Sequence, residues 1–434
     1  MTPGPGLSLE QAPHLSVPLR FYLGAPLFAA AAAVLVAVEG PYALSTRWTP
    51  ATLAAAHLFA LGFLAQVMAG SLLQLLPVVA GAPVPGSRGV ALVVHAGLSA
   101  GSVLLPTLFL TGAPWALQGA YGALGVAFVT LVGACALGLA RARAALPTVG
   151  GIALALASLA VAATLGLLLA PLYAGGSSLA LGVRHLHPVW ALAGWVGLLV
   201  VAVAFQVVPM FHLTPPYPLA LQRLLAPALF LALAVASVAE GAVQTAAYAL
   251  VSAGFALFAG VTARLQALRR RRLGDASLGL WRVALGALVL TSALAALKPW
   301  LPDAWRPRAE VFAVVVYLVG FAWSVVAAML TKIVPFLCWF HLQARFLGRG
   351  KLPHLGVFLA ERDARWLLRA HGAVCAALPL GMLLPALHPV GFGLFAAEAL
   401  YLAGLVARAG WRYREASRRL EALPEPSPAT HAVQ

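Results

Sequence analysis

The chain has 434 residues, of which 62% are hydrophobic and only 9% charged, and its mean hydropathy is +0.93. That balance excludes an ordinary soluble globular protein and leaves no room for a sizeable soluble domain. The formal charge of +16 would suit a nucleic-acid binder, but the placement of the charges argues against one.

The start, Met1 to Leu19, is polar and proline-rich, and no cleavable signal peptide is expected there. Apolar runs of roughly 20 residues then recur, each enough to cross a ~30 Å hydrocarbon core. They predict about twelve spans, at 20–42, 52–80, 89–112, 115–140, 148–171, 184–211, 219–240, 243–264, 280–298, 309–340, 366–387 and 389–408. The longest stretches between or beyond spans are the loop 341–365 and the tail 409–434.

Spans two, six and ten carry one signature. Gly62-Phe63 is followed by Gln74-Leu75-Leu76-Pro77, Gly194-Trp195 by Gln206-Val207-Val208-Pro209, and Gly320-Phe321 by Lys332-Ile333-Val334-Pro335. In every copy the polar residue lies twelve places after the glycine and the proline fifteen. The copies are roughly 130 residues apart, room for about four spans each. The expected fold is therefore all-α and polytopic, one transmembrane domain of three quasi-equivalent four-helix units at 20–140, 148–264 and 280–408. The glycines permit close helix contact. The prolines are expected to bend or end their helices, and Gln74, Gln206 and Lys332 to hydrogen-bond between helices.

With the N-terminus in the cytoplasm, 23 of the 28 Lys and Arg fall at cytoplasmic ends or loops, including Arg269 to Arg272. Only Arg47, Arg184, Lys298, Arg306 and Arg308 lie outside. This positive-inside bias places both termini in the cytoplasm of a bacterial-type inner membrane. The basic runs are topology signals that face anionic lipid, so the expected partner is the bilayer and not nucleic acid.

Cys135, Cys338 and Cys375 are isolated, with no CxxC pair and no haem-attachment CxxCH, so buried free thiols are expected. No Walker A loop, dinucleotide fingerprint or serine nucleophile elbow is present.

Ionisable groups inside a bilayer are costly, so each is a functional candidate. His57, His185, His187 and His388 lie toward the outer side; His95, His212, His341, His354 and His371 lie toward the cytoplasm. His57 precedes Pro77 by twenty residues, about 30 Å of helix, so the two groups cannot form one centre. His57 has only apolar sequence neighbours and needs a partner: a haem iron or copper ion, or else a backbone carbonyl or water. His187 and His185, in His-Leu-His-Pro, are the next candidate ligands, with ordinary interfacial histidines as the alternative. The repeat aligns Val189, not His187, with His57. His95, His212 and His341 are candidate ligands of a second metal, with Met210 or Cys338 as soft ligands, or are plain interface histidines. Glu398 stands alone near the middle of its span, as a proton relay, a histidine's partner or a neutral hydrogen-bonded acid.

Twelve spans, both termini inside, three units and a histidine at the outer start of span two resemble subunit I of the haem–copper oxidase superfamily. His57-Leu-Phe-Ala-Leu-Gly62-Phe63, with Ala69-Gly70, Pro77, Gly81, Pro83 and Gly86, is also similar to NnrS-type membrane proteins, which are haem- and copper-associated and linked to nitric oxide handling. The resemblance implies a low-spin, non-covalent b-type haem on His57. It does not extend to the oxygen-reducing centre. Span six has His187-Pro188-Val189-Trp190 and no tyrosine, span seven has no histidine, and span ten has none before His341. The expected function is haem binding in nitric oxide or respiratory-metal physiology, with a homo-oligomer or a respiratory-chain subunit as partner. A transporter of copper, haem or a small solute, or an oxidase assembly factor, are the rivals; repeated helix breaks are a transporter cue.

Overall fold

A computed structural model of the chain describes residues 9–81, 83–142, 147–170, 172, 183–270 and 274–423. Among them are twelve helices long and apolar enough to cross a membrane, and no strand. They are α1 Ser16–Glu39, α2 Pro50–Ala80, α3 Ser87–Thr111, α4 Pro114–Ala140, α5 Pro147–Leu169 and α6 Leu186–His212. The second half holds α7 Leu219–Val238, α8 Gly241–Ala267, α9 Ala276–Trp300, α10 Arg306–Phe346, α11 Glu361–Leu383 and α12 Pro385–Glu421. This is the make-up of a multi-pass membrane protein. The described cysteines are all free.

Most span boundaries shift by a few residues from the sequence reading, and two helix ends differ in kind. The helix of α12 continues through residues 409–421, which the end of the apolar run had assigned to a tail. There the chain becomes amphipathic, and buried Ser417 and Leu420 keep it packed. Pro335 neither ends nor shortens α10, which runs on to Phe346, whereas Pro77 and Pro209 lie within one turn of their helix ends.

The three helices bearing the signature are the most buried. Their apolar windows are 78% (α2), 67% (α6) and 67% (α10) buried, against 28–50% for the other nine. Lipid-facing helices can expose one apolar side, whereas central helices are covered all round. Each central helix packs on the first helix of its own unit: α2 on α1, α6 on α5, α10 on α9. The repeat glycine is where they meet. A Cβ on Gly62 would lie 2.4 Å from Phe28, one on Gly194 2.9 Å from Ser158, and one on Gly320 2.7 Å from Ala287. Further contacts of α4 with α5, α8 with α9 and α12 with α1 close the outer helices into a ring.

Each central helix also changes its winding at the same place. Wide-turn π segments occupy Leu58–Ala65, Trp190–Gly197 and Val316–Trp323, each starting four residues before the repeat glycine. Such segments insert an extra residue into a helix and frequently mark functional sites. Below them, equivalent positions of the three helices (Val67, Leu199 and Val325; Leu72, Ala204 and Leu330) line a narrow apolar void of about 160 Å³. Above them the bundle opens into a far larger cavity.

Candidate functional site

The outer cavity has a volume of about 1460 Å³, beyond the ~300–1,000 Å³ usual for small-molecule sites. Its walls are mostly apolar, and His57 and His187 both stand on them. His57 Nδ1 donates to Leu53 O at 2.7 Å, one turn back on its own helix. His187 Nδ1 donates to Ala162 O of α5 at 2.9 Å. A carbonyl can only accept, so Nδ1 carries the proton in both rings, and Nε2 is left with the lone pair. The ring centres are 6.1 Å apart and the planes 9° from parallel. The two residues come from different predicted units.

Both rings carry a feature usual for metal-binding imidazoles, an acceptor on Nδ1–H that fixes the tautomer and leaves the Nε2 lone pair free. Phe109 packs on His57 at 5.0 Å between ring centres.

The mouth of the cavity gathers charge. Arg47, Arg184, Lys298 and Arg306 line it, four of the five cations expected on the outer side, with Glu310 as the carboxylate among the described lining residues. Glu310 holds Lys298 at 2.5 Å and lies 3.4 Å from Arg47 Nε. Arg47 and Arg184 both sit over the Trp48 ring, at 4.6 and 5.3 Å. His185 is exposed at this rim rather than inside. Burial first, and then the Arg47, Arg184 and Lys298 charges, hold its ring below the usual imidazole range, with Glu310 opposing them. The structure therefore brings His57 and His187 together and puts His185 with the cations.

The inner histidines go to three separate places. His95 Nδ1 meets Gln66 Oε1 at 3.1 Å, and Gln66 also donates to Ser99 Oγ at 2.9 Å. His212 Nε2 meets Ser277 Oγ at 3.2 Å and stands edge-on to Trp281. His341 faces His14 and Phe340, and its Nε2 is buried without a partner. Among the described residues no group of three or more His, Cys, Asp or Glu is placed to hold a metal. His388 braces α12 to α1 by meeting Val36 O at 3.0 Å.

Glu398 is buried in a dense polar network. Trp323, the last residue of the third π segment, donates Nε1–H to its Oε1 at 2.7 Å. His371 Nδ1 lies 3.1 Å from Oε2, and His371 Nε2 meets Ser324 Oγ at 2.6 Å and Cys375 Sγ at 3.3 Å. Ser324 Oγ donates in turn to Gly320 O, the third repeat glycine. Trp323 and Ser324 escaped the sequence reading, and His371 was placed only toward the cytoplasm and not beside Glu398, because a carboxylate's partners lie on other helices. Lys332 departs from Gln74 and Gln206: it pairs with Asp275 at 2.9 Å, the N-cap of α9. Gln74 Oε1 stays buried without a partner. Comparison with protein-family models and with curated proteins found no match for this chain.

Proposed function

We propose that the chain is a haem-binding membrane protein, in which His57 and His187 would hold the haem iron. The observation that carries this is the facing arrangement of two imidazoles from different units, 6.1 Å apart and near-parallel, each with Nδ1 spent on a backbone carbonyl. The chemistry that a bound haem supplies is one-electron transfer or capture of a small diatomic ligand.

The chain's own residues do the rest. Leu53 O and Ala162 O hold the rings in one tautomer, which presents two Nε2 lone pairs to the cavity. The apolar walls exclude water and favour a flat apolar macrocycle. Arg47, Arg184, Lys298 and Arg306 suit the two propionate carboxylates of a non-covalent haem at the outer end, through charge-assisted hydrogen bonds. His185 then serves as a rim residue rather than a ligand. We further propose the haem–copper oxidase subunit I-like, NnrS-like architecture for the twelve helices, with both termini in the cytoplasm. A role in nitric oxide or respiratory-metal physiology follows from that likeness. Copper at His95, His212 and His341 finds little support, since each has its own surroundings. The rival reading is a transporter, favoured by the apolar void that continues the bundle axis on the inner side.

The test is haem content after purification in mild detergent from haem-replete cells. Expected is one haem per chain in the wild type, and its loss in His57→Ala and in His187→Ala with folding retained. Full haem content in both variants overturns the assignment, and saturable flux by a chromophore-free wild type favours the transporter.

A further inference from the structure

The lining of the outer cavity falls into two sets related by the chain's own repeat. One set surrounds His57 and His187 and comes mainly from α2 to α6. The other comes mainly from α6 to α10. A constant offset along the chain carries Tyr121 to Tyr248 and Phe128 to Phe255, and another carries Ala162 to Thr291. The cavity thus has a second lobe built on the plan of the first. At the ligand positions the match fails: Val189 stands where the first lobe has His57, and Ala313 where it has His187. The second lobe keeps the aromatic wall and has lost the metal donors.

Its chemistry is restrictive. Below the rim of Lys298, Arg306 and Glu310, no Asp, Glu, Lys, Arg or His lines it among the described residues, so a charged ligand would be desolvated without a partner. Phe255 is wedged against α6, where a Cβ on Gly197 would meet it at 2.5 Å, and with Tyr248 it offers a wall for a flat ring. Thr291 Oγ1 is buried with no hydrogen-bond partner. Tyr121 donates to Leu167 O at 2.6 Å, but among the described residues no carbonyl accepts from its counterpart Tyr248. Thr291 Oγ1 is thus a buried donor without an acceptor, which is costly, and the Tyr248 hydroxyl lines the same cavity with its proton to give.

We propose that the second lobe binds an uncharged, flat, membrane-soluble molecule carrying ring carbonyls, of the quinone class, with Thr291 and Tyr248 donating to its oxygens. This class combines an apolar ring, acceptors without donors, and solubility in the bilayer. Below the shared rim the site is independent of the haem reading, because neither Thr291 nor Tyr248 is a haem candidate.

The experiment is equilibrium binding of a short-tailed benzoquinone to the purified full chain in lipid nanodiscs, with empty nanodiscs as the partition control. Expected is one saturable site per chain. Thr291→Val and Tyr248→Phe, which remove a donor with little change of volume, each weaken it roughly fivefold, the worth of one ordinary hydrogen bond. Ala313→Phe fills the lobe and abolishes binding, while His57→Ala leaves it unchanged. Partition without saturation overturns the proposal. So does saturable binding that neither hydroxyl variant weakens, or binding lost in His57→Ala, which would move the ligand to the first lobe. If Ala313→Phe fails to fold, the two hydroxyl variants decide the question alone.

Discussion

Trp323 donates to Glu398 across 2.7 Å, tying the third π segment in α10 to the one buried carboxylate near the middle of α12. The bond has consequences for both helices. Glu398 also faces His371, so each of its oxygens has a donor in reach.

Glu398→Gln keeps the shape and an acceptor for Trp323, and the His371 ring can change tautomer to suit the new amide. Expected is a stability change within about 1 kcal/mol. Glu398→Leu leaves the Trp323 and His371 groups buried without partners, at roughly 1–3 kcal/mol each. Thermal unfolding in detergent separates the two. If Glu398 also relays protons, Glu398→Gln slows a proton-coupled activity at unchanged stability. Equal destabilisation by Gln and Leu would show that the network does not hold the helices.

Leu213 sits just beyond α6 with φ of 55°, in the left-handed region. The equivalent place after α2 is Gly81, with φ of 61°. A left-handed leucine costs about 1–2 kcal/mol, and this side chain is substantially exposed, so it recovers little by packing. Leu213→Gly is expected to raise stability by about 1 kcal/mol in denaturation measurements. A loss of stability would mean that the exposed leucine is held by a contact that outweighs the strain.

Asp275 caps α9 and holds Lys332 of α10. Burial pushes its carboxyl up. The Lys332 ammonium, the His212 charge and the Ser277 N–H more than reverse this, leaving it below the usual carboxylate range. A depressed folded value stabilises the fold above the ordinary carboxylate range, and that stability is lost as pH falls through the folded value. Asp275→Asn is expected to cost about 1–2 kcal/mol at neutral pH. The gap to the wild type should close below about pH 4. A gap independent of pH would locate the effect in the cap alone.

Val189 and Ala313 occupy in the second lobe the places of His57 and His187. The double variant Val189→His, Ala313→His is expected to take up a second haem, doubling the haem-to-protein ratio. Thr291 lies in α9 at the chain offset that Ala162 has in α5, so its carbonyl is the expected anchor for the new ring. An unchanged ratio would show that the two lobes share an outline but not a depth.

The helices were legible because a bilayer demands about twenty apolar residues per crossing, and that demand is written locally. The Gly-to-Pro spacing pointed to three special helices, and these are the buried ones. Their π segments carried no residue signature, since an i→i+5 bond can form in the same apolar run as an i→i+4 bond. His57 and His187 were legible as isolated polar groups on apolar helices. That they face each other, with Ala162 O between α5 and α6 fixing one of them, depends on packing across 25 residues of chain. The cavity and its rim were illegible for the same reason: Arg47, Arg184, Lys298 and Arg306 are scattered in sequence and meet only where three units close. Residues 409–421 read as tail because amphipathic helix outside a bilayer has no apolar run to betray it.

The most direct test of His57 and His187 as a pair is near-infrared magnetic circular dichroism of the oxidised, purified protein, which distinguishes bis-imidazole haem from other axial ligation. Expected is a bis-imidazole signature in the wild type that disappears in either His57→Ala or His187→Ala. A wild type that carries haem with a single imidazole ligand, or that keeps the bis-imidazole signature in both variants, would contradict the account.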